Sequence, residues 1–199
     1  MITQTLLSKS EEGLLSCLGY LVVRWNYLEN CTRQILRMYA LGDSIDDPDH
    51  LRISAHVAIR IEQELKKVAV SHWTGEGKRY IDCLITAYEI ARGHRNHFVH
   101  GIYMTFGARG PNEAEAVLIP AKPINGHSQV PSHVKLSEMR LVAEHVHALA
   151  MFAREVMVGF DANGNRALNA DGTLVLAELP SLIPPLPVCK YVTTETDVA

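Results

Sequence analysis

Along the first forty positions one stripe recurs at steps of three and four: Leu14, Leu18, Leu21, Trp25, Leu28, Thr32, Ile35 and Tyr39. A period near 3.6 predicts an amphipathic helix with this stripe turned to a core. Ser8 and Glu11 match a capping box at its start, and Gly42 is a terminator. A helix of that length spans roughly 45 Å at 1.5 Å per residue. Its near-heptad seam suits a helical bundle or a dimer interface.

The same period returns three more times. Asp47 as N-cap with Pro48 at the first helical position opens a second helix, whose stripe is Ile53, Val57, Ile61, Leu65 and Val68. "TGEG" at 74–77 breaks the pattern. A third helix is predicted from about Lys78 to Val99 or slightly beyond, and a fourth opens at Ser137 and runs to Phe160. Leu136 and Leu141 fall where a hydrophobic staple would place them.

Between helices three and four the period drops to that of strands. "GIYMTF" and "AVLIPA" are short apolar runs separated by "GARGPNEAE", which predicts a small hairpin. Beyond Phe160 the chain turns rich in Gly, Asn and Asp, with one further strand-like run at "TLVLAEL", and then rich in proline. The predicted fold is all-α: a bundle of four long helices over residues 1–160, a β-hairpin insertion at about 102–121, and an extended C-terminal tail over 161–199, packed or disordered.

Composition narrows the function classes. Of 199 residues 47% are hydrophobic, and 19 Lys and Arg against 22 Asp and Glu leave a net charge of −3. A protein built to coat nucleic acid is usually basic, so any phosphate contact here must come from a local patch. Cys17, Cys31, Cys83 and Cys189 have no paired spacing, which reads as reduced thiols in a cytoplasmic protein. The first residues lack a signal-peptide pattern, and no apolar run approaches a membrane span.

Two other stretches invite metals and do not earn them. "DANGNRALNADG" begins like an EF-hand loop, but Arg166 replaces the required Gly and Gly172 the bidentate Glu. His145 and His147 are two apart, so on a helix they diverge, and His133 adds no usable pair. No cofactor or metal is expected.

The dense chemistry lies in "ARGHRNHFVHGIY", residues 91–103. On a helical wheel Ile81, Leu84, Tyr88, Ala91, Val99 and Ile102 fall within about 40° of Arg95, which places this arginine in the apolar stripe. A guanidinium cannot be neutralised and needs a carboxylate, a phosphate or carbonyls. Glu89, Asn96 and His100 lie on one flank, and Arg92 extends it. Histidine can move a proton near neutrality, arginine can hold a phosphate, and asparagine can orient either. With an RNA 2′-hydroxyl as nucleophile, no metal is needed. The structural alternative is an Arg95 paired with Glu29 on helix one, with His100 merely favoured at a helix C-terminus. His94 and His97 fall on other sides of the wheel and carry no assigned role.

"RNHFVH" resembles the R-N-x-x-x-H form of the signature of the HEPN superfamily, the higher eukaryotes and prokaryotes nucleotide-binding domains. Arg95 and His100 fill its two defining positions and Asn96 the polar position after the arginine. "GYLVVRWNYLEN", the hairpin after "HG" and "KLSEMR" extend the resemblance over roughly residues 10–158. It implies a helical bundle, a homodimer whose two motifs share a cleft, and a metal-independent ribonuclease of toxin or defence type acting on RNA. Arg95 would hold the scissile phosphate, His100 transfer a proton and Asn96 orient them, with Glu89, Arg92 and Tyr103 in support. One toxin subgroup has tyrosine two residues after the histidine. Here that position is Ile102 and the tyrosine is Tyr103, so pairing with an antitoxin protein rests on less. Other members are non-catalytic dimerisation or nucleotide-binding modules, which is the alternative function.

Overall fold

The computed structural model describes residues 9–41, 58–71, 73–108, 114–119 and 132–183. Four helices are described: α1 (Lys9–Leu41), α2 (Ala58–Ser71), α3 (Gly75–His100) and α4 (Leu136–Gly159). Between α3 and α4 lie the strands β1 (Ile102–Ala108), β2 (Ala114–Ile119) and β3 (Ser132–Lys135). The architecture is the expected all-α bundle with a small β insertion. No described helix is long and apolar enough to cross a membrane.

The predicted α1 stripe is the core. Leu14, Leu21, Trp25, Leu28, Thr32 and Ile35 are buried, and Leu18 packs against them. A seam consumed inside one chain is not available to a second copy, so the alternative of a dimer interface on this stripe falls away. Ile61 and Leu65 of α2 are buried as expected. Its predicted start at Asp47 and Pro48, like the Ser8–Glu11 capping box of α1, lies outside the described residues or side chains.

Contacts along the helices give their directions. Gly13 approaches Leu136 and Tyr20 meets His147, so α4 runs with α1. Trp25 lies against Tyr88 and under Arg95, while Tyr80 of α3 stacks on Phe152 of α4. Glu62 reaches Arg92, Lys66 reaches Glu89, and Lys78 donates to the Ala69 carbonyl, so α2 and α3 are antiparallel. The most extensive packing is between α1 and α4.

Several boundaries differ from the sequence reading. Helix α3 begins at Gly75, within the "TGEG" expected to be a break, and ends at His100, just beyond Val99 as expected. Helix α4 begins at Leu136, with the Lys135 amide donating to Glu138 at 3.2 Å. The staple positions are therefore Val134 and Met139, both fully buried, while the expected Leu141 faces solvent. The insertion is a three-stranded antiparallel sheet in the order β1-β2-β3, with a bulge between Tyr103 and Thr105. "SHVK" was not legible as a strand because it pairs with β2 across a long sequence gap, Glu115 opposite Lys135 and Leu118 opposite Ser132.

The run "TLVLAEL" is not a strand. Only a single bridge, Leu168 to Leu174, forms there. Residues 161–183 instead pack on the end of the bundle where α3 begins. Gly164 lies against Trp73 and so close to Gly77 that a Cβ on Gly77 would run into its carbonyl, and Arg166 donates to the Leu176 carbonyl. The Cys83 thiol donates to the Ile183 carbonyl at 2.9 Å.

Candidate functional site

The last turn of α3 is held from both sides. Phe98 is fully buried, and Gly101 follows the helix directly under Leu118 of β2, whose side chain occupies the place a Cβ would need. That close approach explains a glycine at the helix–strand junction. It fixes His100 as the final helical residue, beside the edge of the sheet.

Arg95, Asn96 and His100 come together there. The Arg95 Nη1 donates to the Asn96 Oδ1 at 3.0 Å and to the His100 Nε2 at 2.5 Å. A guanidinium has no acceptor, so Nε2 must be the acceptor and carry no proton in this arrangement. Asn96 and His100 are exposed, and Arg95 is half-buried. The arginine stem follows the apolar stripe while its head reaches the surface, as long cationic side chains do. Its guanidinium carbon sits 5.9 Å from the centre of the Trp25 ring. A cation over an indole face gains about 0.5–1 kcal/mol at an exposed site.

The structural alternative does not hold for Arg95. Glu29 accepts from the Trp25 indole at 2.7 Å and pairs with Arg33 at 3.0 Å. Among the described residues, no carboxylate pairs with Arg95. The tryptophan thus does two things. It occupies the carboxylate that could have neutralised the arginine, and it offers its ring in place of one. Trp25 is legible in the sequence only as a core residue of α1.

The supporting residues divide. Arg92 pairs with Glu62 at 2.9 Å, Glu62 with Lys66 at 2.8 Å, and Lys66 with Glu89 at 3.0 Å. This chain of charges ties α2 to α3 and is a different grouping from Arg95–Asn96–His100. The Glu62 side chain is only 6% exposed, so its two cationic partners answer the cost of burying a carboxylate. The Tyr88 hydroxyl is buried nearby without a hydrogen-bond partner among the described residues, and burial pushes it far above the usual tyrosine range. Tyr103 lies in β1 opposite Leu118, three residues past His100.

Two histidines read as incidental are inside the protein. His94 is fully buried, because the covered face of α3 also takes in Phe98 and Ala87 and is wider than the stripe centred on Arg95. His97 is half-buried, and desolvation holds its imidazole below the ordinary histidine value. The unfolded chain therefore takes up this proton first as pH falls. The stability it represents is whole above about pH 6.5 and drains away as pH drops below that. We expect the melting temperature to fall between pH 7.5 and 5, and His97→Gln to flatten the slope. An equally steep slope in the variant would assign the effect to other groups.

Cys17 and Cys31 are buried and Cys83 half-buried, all three free, and burial raises each thiol. Cys189 lies outside the described residues. No family model, curated protein or solved structure matches the chain.

Proposed function

We propose that this chain is a metal-independent endoribonuclease of HEPN type, with Arg95, Asn96 and His100 as its catalytic residues. The observation that carries the reading is the half-buried Arg95, whose Nη1 bonds to the exposed His100 Nε2 with no carboxylate among the described residues to neutralise it. In such a pair each group is held ready for a phosphodiester. An incoming phosphate draws the guanidinium donors away from His100, which frees Nε2 to accept a proton.

The chemistry then needs only the substrate. The RNA 2′-hydroxyl gives its proton to His100 Nε2, and its oxygen attacks phosphorus. The bond to the 5′-oxygen breaks, leaving a 2′,3′-cyclic phosphate and, once protonated, a 5′-hydroxyl. Arg95 holds the phosphate and meets the charge that builds on its equatorial oxygens. Asn96, bonded to the same Arg95 nitrogen, keeps the guanidinium plane directed at the site. In a homodimer, a second His100 would be placed to protonate the leaving oxygen. An antitoxin protein would act by covering this exposed surface.

Incubation with single-stranded RNA in excess EDTA tests the reading. The expected products carry 2′,3′-cyclic phosphate and 5′-hydroxyl ends, at a rate unchanged by the chelator. Cleavage that stops in EDTA, or 3′-hydroxyl products, would sink it.

A further inference from the structure

Near their N-terminal ends α1 and α4 leave a groove of about 550 Å³ between them. Contacts set its two ends. Leu136 comes 3.2 Å from the place a Gly13 Cβ would take, and seven residues further along Tyr20 meets the His147 ring at 6.2 Å. Seven helical residues rise about 10 Å, the length of a small ligand. Cys17 and Ala143 are buried and form the floor, while Glu12, Ser16, Tyr20, Arg140 and Glu144 are exposed along the rim. Pockets of this volume take small molecules.

The rim charges do not pair with one another. Arg140 and Glu144 stand four apart on α4, a spacing at which opposite charges are neighbours. Elsewhere in the chain that spacing closes: Glu29–Arg33 at 3.0 Å, Arg60–Glu64 at 2.7 Å, Glu62–Lys66 at 2.8 Å and Lys78–Asp82 at 3.0 Å. Among the described residues, none of Glu12, Arg140 and Glu144 makes an ion pair. Burial raises the Cys17 thiol, Arg140 lowers it and Glu144 raises it further, so both α4 charges lie close to the floor. Because Gly13 is level with Leu136, the order along the groove is Glu12, Arg140, Glu144, spaced about one helical turn apart. One guanidinium thus stands between two carboxylates, each open to a third party.

We infer that this groove binds a free α-amino acid with a cationic side chain, of the arginine or lysine type. The ligand carboxylate takes Arg140, whose planar fork grips both oxygens. Its α-ammonium and its side-chain cation take the carboxylates of Glu12 and Glu144. An extended arginine or lysine separates its end charges by roughly one helical turn, about 5–6 Å, which is the interval on the rim. The Ser16 hydroxyl is placed to donate to the ligand carboxylate. Tyr20, its ring held under the Arg24 guanidinium at 4.9 Å, bounds the far end. A phosphate-rich ligand is disfavoured, because it would meet two carboxylates for one guanidinium.

The groove is separate from Arg95 and His100. Ser16 precedes Trp25 by nine residues, which is half a revolution about the α1 axis at about 100° per residue. The rim therefore lies on the other side of α1 from the ring under Arg95. The inference stands without the ribonuclease reading, and its test uses no RNA.

Isothermal titration of the full chain with L-arginine, and in parallel with L-lysine, decides the matter. One saturable site per chain is expected, with a Kd below about 1 mM for a ligand left open along one side. Agmatine lacks the carboxylate and L-norleucine the side-chain cation, and each should bind at least about tenfold more weakly than L-arginine. Arg140→Gln and Glu144→Gln should each weaken L-arginine by a similar factor. Since these groups make no ion pair within the described chain, the melting temperatures of the ligand-free variants should match the wild type. A Kd above about 1 mM for both amino acids overturns the inference. Agmatine binding as tightly as L-arginine overturns it too, because the anion would then not be what Arg140 holds. Undiminished affinity in Arg140→Gln would place the ligand elsewhere, and preference for L-glutamate would reverse the assigned polarity; either result sinks the assignment.

Discussion

Arg95→Ala is expected to lower RNA cleavage by about 10²–10³-fold, the usual effect of removing a donor that meets transition-state charge. His100→Ala should lower it by about 10²–10⁴-fold through loss of the proton acceptor. Neither change should cost the fold much. Among the described residues, Arg95 bonds through its Nη1 to the exposed Asn96 and His100 and rests on Trp25. The stacking it loses is about 0.5–1 kcal/mol. Arg95→Lys should not rescue activity, because an ammonium is a point charge without the planar fork that grips two phosphate oxygens. Comparing cleavage rates with melting curves separates the possibilities. If Arg95→Ala mainly unfolds the protein while His100→Ala is silent, the arginine is a structural residue and the proposed chemistry is lost.

The largest effect on stability is expected from Trp25→Ala. This side chain is 1% exposed, its ring centre lies 5.0 Å from that of Tyr88, and its indole holds Glu29 at 2.7 Å. Truncating a buried tryptophan costs about 3–5 kcal/mol. At about 2–4 °C per kcal/mol for a chain of this size, the melting temperature should fall by roughly 10 °C. The change also frees Glu29 from one of its two partners and removes the ring beneath Arg95. A released carboxylate close to the arginine would compete with phosphate, so cleavage should drop even at temperatures where the variant is folded. Trp25→Phe separates the roles. It keeps most of the packing and an aromatic face but loses the indole hydrogen bond, a net cost of about 1 kcal/mol. Full activity in folded Trp25→Ala would show that the ring does not position Arg95.

The helices were readable because each buries one continuous face. Spacing alone placed Leu14, Leu21, Trp25, Leu28 and Ile35 on the core of α1, and Ile81, Leu84, Tyr88 and Ala91 on that of α3. It failed where pairing is remote. "SHVK" becomes a strand only because β2 lies beside it, and "TLVLAEL" makes only the Leu168–Leu174 bridge among the described residues. Cap geometry moved by two residues for a similar reason. The staple positions of α4 depend on where the sheet delivers the chain, and β3 ends at Lys135.

The candidate site shows the same division. The order of residues determined that Arg95 and His100 lie at one helix end, with Asn96 beside the arginine and the stem of Arg95 on an apolar stripe. Local spacing fixes angles about a single helix axis, so these relations survive into the structure. The sequence could not determine which carboxylate, if any, would neutralise the arginine. That depended on the distance between α1 and α3 and on a competition for Glu29, which Trp25 and Arg33 take. Nor could it determine that Glu89 and Arg92 join Glu62 and Lys66, or that His94 is enclosed. A wheel gives direction from one axis. Partnership and burial are set by neighbouring helices, and only their packing decided them.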